Sequence, residues 1–487
     1  MTLYISHDFF HYEAGNLCRL FFPYEELKLI NNKNEAHGLA VTAEITDNQT
    51  YVAAVTNGET TVQKTVVSDK SDEAEYHMMR ALFGCLSEFC GYKPKWGLLT
   101  GIHPVKLYTQ YVKKQGAAEA DRIFSQDFFV SEDKISLCRR IYKAQDPSIR
   151  ALMDDDFSLY ISIPFCPSRC AYCSFVSQSV EKQEKLIEPY VLKLLDELKD
   201  TARIVRETGL RMVSAYIGGG TPTTLNPDQL IRVISAVKEN FDMSSCGEFT
   251  VEAGRPDTID SGKMAALKSM GVTRISVNPQ SLDDNVLKNI GRRHTAKEAI
   301  DAFYLARESG FDNINMDLIA GLQGDTAQSF ERTVNQVIEM NPESVTVHSL
   351  ALKRSAEIFH KEGTKDFHRE RELVSSMVEY SIKKLTEAGY EPYYLYRQSR
   401  MAGNQENTGW AKKGCACRYN IYTMDETHTV IACGAGGVSK IKDPYSDRLE
   451  RIFNFKYSYE YISRFDEMIG RKEGVKVLYE QFRKRVH

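Results

Sequence analysis

The segment SIPFCPSRCAYCSF, residues 162–175, places three cysteines close together directly after an apolar run. They are Cys166, Cys170 and Cys173. The run at 158–163 predicts a buried β-strand, and the prolines that follow it predict a loop. Three thiolates on one loop can bind one inorganic centre and leave one of its metal positions without a protein ligand, which predicts a reactive centre. The alternative is a structural zinc site that His294 or His348 completes from elsewhere in the chain.

The composition is that of a soluble globular protein. The chain has 487 residues, of which 42% are hydrophobic and 26% charged, and its length predicts two to four domains. A net charge of −4 is too small to attract nucleic acid by the overall field. We find no long uncharged apolar run and no secretion signal, so we expect a cytoplasmic protein that binds neither nucleic acid nor membrane. The 11 cysteines should accordingly be reduced thiols.

Short apolar runs alternate with helical segments in the middle of the chain, the pattern of βα units and a parallel sheet. The six runs are 158–163, 212–218, 247–252, 272–278, 311–318 and 343–350. Six units are fewer than the eight of a closed barrel, so the fold class expected for 151–390 is α/β, a partial (β/α)6 barrel. Its reactive side chains should gather at the carboxyl ends of the strands.

Residues 1–150 predict a mixed α+β domain of unknown role. Three strands at 39–46, 51–56 and 59–67 form a meander, with a two-residue hairpin signal at Asn57-Gly58. Helices are predicted at 72–92, 103–114 and 131–145, with Cys85 and Cys90 as core residues of the first. A linker is expected at 146–156.

Residues 391–487 predict an irregular, aromatic and glycine-containing element that closes the active site. Cys415, Cys417 and Cys433 raise the possibility of a second metal cluster within it. A closed cluster site needs four ligands, so a tight turn at 433–439, CGAGGVS, is the favoured interpretation of the last cysteine.

Polar residues and glycines end the predicted barrel strands. They are Gly219 and Gly220 at the end of the second strand, Glu252 at the end of the third, Asn278 and Gln280 at the end of the fourth, and Asp317 at the end of the fifth. Each alone is typical of a turn or a helix cap. Because the carboxyl ends of parallel strands share one edge, together they predict one polar site beside the cysteines.

The cysteine pattern C-x3-C-x-aromatic-C after a first barrel strand resembles the signature of the radical SAM superfamily. The strings YISIPFC, GGGTPT, VEAGRP, RISVNPQSLDDNVLKNIGRRH and NMDLIAGL are similar to oxygen-independent coproporphyrinogen III oxidases. Residues 1–150, with WGLLTGIHPVKLY at 96–108, resemble a longer branch named coproporphyrinogen dehydrogenase.

The resemblance implies that Cys166, Cys170 and Cys173 hold a [4Fe–4S] cluster whose fourth iron binds S-adenosylmethionine (SAM), and that two SAM molecules bind. The contacts implied for the first are Tyr160, Gly219, Glu252 and Val438. Those implied for the second are Tyr172, Gly220, Thr221, Gln280, Arg292, Asp317 and Ala351. The catalytic residues expected are Tyr160, Arg292 and Arg293. The two arginines would bind substrate carboxylates, with Lys353, Arg354, Arg397 and Arg400 as further candidates.

The activity that the resemblance implies is oxidative decarboxylation of coproporphyrinogen III propionates to vinyl groups in haem biosynthesis. An electron donor such as flavodoxin or ferredoxin would be needed. The alternatives are radical methyl transfer to a tetrapyrrole, and a haem or tetrapyrrole carrier with little catalysis.

Some positions differ from these families. The oxidases carry histidine where this chain has Ser162 and a further cysteine where it has Phe175. Haem chaperones of the superfamily carry a His-Asn-x-x-Tyr-Trp string where this chain has YNIYTM, with Tyr419 in place of the histidine and Met424 in the tryptophan region. Haem ligation of the chaperone kind is therefore disfavoured.

Overall fold

The computed structural model describes residues 1–6, 10–23, 25–46, 50–68, 73–101, 103–173, 178–351, 367–398 and 401–484. These residues form two compact units. The first holds the described residues of Met1–Arg139 and Arg397–Asn404, and the second holds those of Arg140–Glu362, Phe367–Tyr396 and Gln405–His487. The functional domain limits that the sequence suggests, at 150 and 390, stay predictions.

The first unit contains a five-stranded sheet of order β2-β1-β3-β4-β5. Its strands are β1 (Thr2–Ile5), β2 (Lys28–Ile30), β3 (Ala40–Thr46), β4 (Thr50–Thr56) and β5 (Thr61–Val67). The helices that begin within it are α1 (His11–Phe21), α2 (Ala74–Cys90), α3 (Pro104–Gln115), α4 (Ala117–Arg122) and α5 (Glu132–Arg150). The predicted antiparallel meander β3-β4-β5 is confirmed, and β1 adds to it in parallel together with β2.

Two local predictions in this part of the chain are corrected. The hairpin loop has four residues, 57–60, because the Asn57 side chain accepts hydrogen bonds from the backbone of Glu59 and Thr60 and widens the turn. Residues 146–150 are the last turn of α5, with Pro147 inside the helix, so the linker predicted at 146–156 is wrong for these residues.

The second unit is built on a parallel barrel sheet. Its six central strands are β6 (Asp156–Ile163), β9 (Arg211–Gly219), β10 (Glu248–Glu252), β11 (Arg274–Ser276), β12 (Ile314–Ala320) and β13 (Ser344–Ser349), while β7 (Phe165–Cys166) and β8 (Gln178–Ser179) form a separate ribbon. All six predicted strands are present and pair in parallel in chain order.

Helices follow the strands and cover the sheet. They are α6 (Val180–Gln183), α7 (Ile187–Thr208), α8 (Pro227–Asn240), α9 (Ser261–Ser269), α10 (Asp284–Asn289), α11 (Ala296–Glu308), α12 (Ala327–Met340) and α13 (Phe367–Glu387). Three of them begin with a capping box, at Asn226, Thr295 and Thr326, which fixes where each helix starts after its loop.

The six strands alternate between an apolar face and a polar face. On β6 the apolar face consists of Leu159, Ile161 and Ile163, and each of the other five strands contributes buried apolar residues to the same face. Together these residues form the buried layer beneath the helices. The residues between them are polar and hydrogen-bond across strands, as when Asn315 donates to Ser276 (2.9 Å). The period-2 pattern thus turns a polar surface toward the barrel interior, where a ligand can bind.

The C-terminal segment is regular rather than irregular, which corrects the sequence-based expectation. It contains β14 (Glu391–Tyr396), β15 (Asn407–Ala411), α14 (Arg418–Asp425), β16 (Thr429–Cys433), β17 (Val438–Lys442), β18 (Leu449–Phe453), α15 (Ser458–Ser463), α16 (Phe465–Lys472) and α17 (Gly474–Lys484). Strands β15 and β14 extend the sheet beyond β13, and β16 to β18 extend it beyond β6. The order runs from β14 at one edge to β18 at the other, so the described strands form an open, partial barrel. No helix within the described ranges has the length and apolar character needed to span a lipid bilayer.

Candidate active site

The cysteine loop begins at the carboxyl end of β6. Cys166 lies in the short strand β7, and a tight turn follows in which the Cys173 amide donates to the Cys170 carbonyl (3.0 Å). The Ala171 amide donates to the Ile290 carbonyl (3.1 Å), which holds the turn against the segment after α10. Cys170 is buried, while Cys166 and Cys173 are half-buried.

The glycines after β9 pack backbone directly against this loop. The amides of Gly220 and Thr221 donate to the carbonyls of Ile163 and Phe165, both at 2.7 Å. A Cβ at Gly220 would lie 2.5 Å from the Phe165 carbonyl oxygen, so no larger residue fits without moving the loop. The Thr221 hydroxyl in turn donates to the Cys166 sulfur at 3.5 Å.

Arg292 reaches the aromatic residue of the cysteine loop. Its guanidinium donates to the Tyr172 hydroxyl (3.0 Å) and to the Asn278 carbonyl (3.3 Å), and the arginine is buried. Arg293 is exposed instead and pairs with Glu181. The structure therefore brings Arg292 to the loop but turns Arg293 toward solvent.

Glu252 and Tyr160 line the interior near the loop. The Tyr216 hydroxyl donates to the Glu252 carboxylate at 2.6 Å, and burial raises the pKa of Glu252 to about 7 despite that hydrogen bond. The rings of Tyr160 and Tyr216 stack with Tyr419 at centroid distances of 6.1 Å and 4.5 Å. We call Tyr160, Tyr216 and Tyr419 the tyrosine stack; the three residues belong to one apolar cluster of the second unit.

Strands β11 to β13 bring together the other predicted polar residues, although Asp317, predicted at a strand end, lies in the middle of β12 because the strand continues to Ala320. Asp317 accepts a hydrogen bond from Asn315 (2.7 Å) and lies 3.8 Å from the His348 ring nitrogen. Burial would raise the pKa of Asp317, but His348 and Asn315 hold it below its ordinary value. Gln280 has a positive φ of 69°, and its buried side-chain oxygen has no hydrogen-bond partner among the described residues. A strained residue with an unsatisfied group is typical of a ligand site.

The predicted turn at 433–439 is present and lies against the start of the cysteine loop. The Ser162 hydroxyl donates to the Ala435 carbonyl (2.8 Å), and the Tyr190 hydroxyl bridges the Ser162 carbonyl and the Ala435 amide. Val438 lies at the start of β17, and two strands, β16 and β6, separate it from the glycine-rich end of β9. Ala351 is the second residue after β13. The residue before it, Leu350, packs in one apolar cluster with Tyr172.

Some predicted residues are not brought to this site. Arg397 belongs to the first unit, where it donates to the Leu99 carbonyl and to Asn404. The candidates Lys353, Arg354 and Arg400, and the variant position Phe175, lie outside the described residues.

The three C-terminal cysteines have different surroundings. Cys417 is buried beside the Glu248 carboxylate (3.2 Å), and Cys433 is buried beside Thr201 and Lys472. Cys415 is half-buried. Burial raises the pKa of both Cys417 and Cys433, so each is expected to be a neutral thiol of the core.

The donor set fits an iron–sulfur cluster better than a single ion. Within the described part of the chain, no three His, Cys, Asp or Glu side chains converge to hold one metal ion. His294 lies 3.9 Å from Asp257, and neither of its buried ring nitrogens has a hydrogen-bond partner among the described residues. His348 lies 3.8 Å from Asp317. Cysteine thiolates are the usual ligands of iron–sulfur clusters, so the three cysteines of the loop suit such a cluster, while the zinc alternative stays a prediction.

Three residues of this region, Tyr216, Arg255 and Glu197, were not identified from the sequence, and His348 was identified only as a possible zinc ligand. Tyr216 and His348 lie on the polar faces of β9 and β13, and the period-2 pattern could have identified them. Arg255 is the third residue after β10, in VEAGRPDT, and contacts Cys170. Glu197 is fully buried on α7, where a carboxylate on the apolar stripe was the available signal.

Comparison with known proteins identifies the family. Residues 160–337 match the family model of the Radical SAM superfamily. The chain is 33% identical to the oxygen-independent coproporphyrinogen-III oxidase-like protein HemZ of Bacillus subtilis, over 99% of this chain and 98% of that protein. It is 31% identical to the heme chaperone HemW of the same organism, over 58% of this chain and 70% of that protein. Among solved structures, coproporphyrinogen III oxidase (HemN) from Escherichia coli matches with a TM-score of 0.51 at 23% identity, over 66% of this chain and 72% of that chain, which shows a shared fold.

Membership of the superfamily implies a [4Fe–4S] cluster and SAM binding. The cysteine loop, the glycines packed against it and the polar strand ends are the features in this structure that suit both. The chain belongs to the radical SAM superfamily and, within it, to the oxygen-independent coproporphyrinogen-III oxidase-like proteins.

Proposed function

We propose that this protein is a radical SAM oxidoreductase that decarboxylates the propionate side chains of coproporphyrinogen III oxidatively to vinyl groups. The observation that carries the proposal is the match to a coproporphyrinogen-III oxidase-like protein along nearly the whole of both chains. The polar barrel interior supports it, because a substrate with several carboxylates and pyrrole N–H groups needs hydrogen-bonding partners on many sides.

Cys166, Cys170 and Cys173 hold the cluster in this proposal. The bound cluster and SAM would supply the radical chemistry: one electron from the donor would convert SAM to methionine and 5′-deoxyadenosine with removal of a propionate hydrogen atom, and loss of one further electron to an external acceptor and of carbon dioxide would leave a vinyl group. The barrel's contribution is to orient SAM and the substrate and to exclude water around them. Flavodoxin or ferredoxin is the class of donor that suits the reduction.

Two SAM molecules bind in the proposed mechanism. Around the first, Glu252 accepts hydrogen bonds from ribose hydroxyls or the ammonium group, and Tyr160, Gly219 and Val438 shape the pocket. Around the second, polar groups come from the cysteine loop, the ends of β9 and β11, the middle of β12 and the segment after α10. These are Tyr172, Gly220, Thr221, Gln280, Arg292 and Asp317, with Ala351 beside them.

Arg292 is the cation that we propose to meet a substrate or SAM carboxylate. Its Nε is buried and has no hydrogen-bond partner among the described residues, so one N–H remains for a ligand. Arg293 is proposed as a weaker contributor, because reaching a ligand would require it to leave Glu181.

Anaerobic product analysis tests the proposal. The reconstituted full chain is incubated with SAM, dithionite and coproporphyrinogen III, and the products are separated and identified by mass spectrometry. We expect 5′-deoxyadenosine, carbon dioxide and vinyl products. Cys170→Ala should abolish all three, while Cys246→Ala, a half-buried cysteine of the same unit outside the loop, should not. Methylated or linear tetrapyrroles would instead support radical methyl transfer.

A haem carrier is the second candidate, favoured by the 31% identity to heme chaperone HemW over 58% of the chain. Tyr419, which stands in place of the chaperone histidine, is buried in the tyrosine stack. Stoichiometric haem binding without vinyl formation would support the carrier and contradict the oxidase.

A further inference from the structure

Arg255 connects the end of β10 to the cysteine loop. One terminal nitrogen, Nη1, lies 3.6 Å from the Cys170 sulfur, 3.2 Å from the Ser168 hydroxyl and 3.4 Å from the Ser168 carbonyl. The other edge of the guanidinium forks onto the Asp257 carboxylate at 2.8 Å and 2.7 Å. The arginine thus spans from a carboxylate on one side to a predicted cluster ligand on the other.

This arrangement is buried and charged. Arg255 is only 3% exposed, and burying a cation is costly unless it is paired. Asp257 provides the pairing: burial would raise the pKa of Asp257, but the Arg255 guanidinium that forks onto it holds that pKa below its ordinary value. Because Asp257 occupies the Nε and Nη2 edge, the free direction of Nη1 is fixed toward Cys170.

A cation that donates a hydrogen bond to the sulfur of a cluster ligand changes the reduction potential of the cluster. Hydrogen bonds to the sulfurs and nearby charge are among the factors that set iron–sulfur potentials. Reduction adds a negative charge to the cluster, so a buried cation beside one ligand stabilises the reduced state more than the oxidised state. Arg255 should therefore make the cluster easier to reduce.

We propose that Arg255, oriented by Asp257, is a positioning residue that orders the cysteine loop and raises the reduction potential of the cluster. The inference rests on the cluster and not on the tetrapyrrole reaction. If the reduction potentials of the variants change as expected but no vinyl products form, the proposed function is wrong and this inference still holds.

The test is the midpoint potential of the reconstituted full chain, measured by anaerobic redox titration with electron paramagnetic resonance. Arg255→Met should shift it to a more negative value; if the contact changes the reduced-to-oxidised ratio tenfold, the shift is about 59 mV for one electron. Arg255→Lys keeps the charge and should restore most of the potential. Arg255→Gln keeps a hydrogen-bond donor but removes the charge, and should shift the potential in the negative direction, as Arg255→Met does.

Arg211→Met is the matched control. Arg211 pairs with the buried Asp156 (2.7 Å) at the opposite, amino-terminal ends of β6 and β9, so its loss should leave the potential unchanged. The proposal is overturned if Arg255→Met matches Arg211→Met in potential at equal iron content. If Arg255→Met fails to assemble a cluster, Arg255→Gln and Arg255→Lys decide: a negative shift in Arg255→Gln that Arg255→Lys does not share supports the proposal, and equal potentials in these two variants refute it.

Discussion

Loss of the buried Lys472 amine should open the turn at 433–439, which lies against the start of the cysteine loop. Lys472 and Glu197 form an ion pair in which both side chains are essentially unexposed. The Glu197 carboxylate also accepts hydrogen bonds from the Gly434 amide (2.6 Å), the Tyr461 hydroxyl (2.6 Å) and the Asn454 amide (2.8 Å). Lys472→Met leaves this carboxylate buried without its counter-charge, which costs about 3–5 kcal/mol.

The rate of thiol labelling at Cys433 measures how much the substitution lowers the free energy of opening this region. Cys433 is fully buried and lies 3.7 Å from the Lys472 amine, so it reacts with a maleimide only when this region opens. Since 1.4 kcal/mol is tenfold, Lys472→Met should speed labelling by roughly 100- to 4,000-fold, read by peptide mass spectrometry. Combining it with Glu197→Gln removes the stranded charge and should slow labelling relative to Lys472→Met alone.

A surface pair supplies the control. Lys476 lies 2.9 Å from Glu207 on helices of the same region, but both side chains are more than a third exposed. Lys476→Met should cost at most about 1 kcal/mol, which is about fivefold in labelling. Labelling of Lys472→Met within that same factor of the wild type would refute the argument that the buried pair holds the turn.

Three further predictions address the barrel. Burial raises the pKa of Glu252 from 4.5 to about 7, so the folded protein holds this proton more tightly than the unfolded chain does. The free energy of unfolding should therefore fall as the pH rises from 4.5 to about 7, and Glu252→Gln should remove this fall in denaturant titrations. Gly220→Ala places a Cβ 2.5 Å from the Phe165 carbonyl and should reduce the iron content of the reconstituted protein, whereas Gly101→Ala, with open space around it, should not. Tyr419→Ala should destabilise β6 and β9 by about 3–5 kcal/mol in hydrogen exchange, and Tyr419→Phe, which keeps the ring, by much less.

The parallel strands and the cysteine loop could be predicted from the sequence because their signals are local. Each strand is a short run with period-2 alternation, and the prolines around Cys166 interrupt it within the same few residues. The polar residues at the strand ends could be grouped because parallel strands share one carboxyl edge.

The rest depends on pairing between distant parts of the chain. Strand β16 lies beside β6 although more than 260 residues separate Phe157 from its partner Thr429, and no local pattern specifies that register. Arg255 looks like an ordinary turn arginine until the fold brings Cys170 to it. Arg293 was expected at the site beside Arg292, but the turn before α11 directs adjacent side chains apart, so one is buried and the other faces Glu181.

Electron paramagnetic resonance of the anaerobically reconstituted, reduced protein, recorded before and after SAM is added, tests most directly that three cysteines hold a cluster with an open iron. The account predicts a [4Fe–4S] signal whose line shape changes with SAM in the wild type and is lost in Cys170→Ala. A protein that contains zinc and little sulfide, or a cluster signal that SAM leaves unchanged, would contradict it.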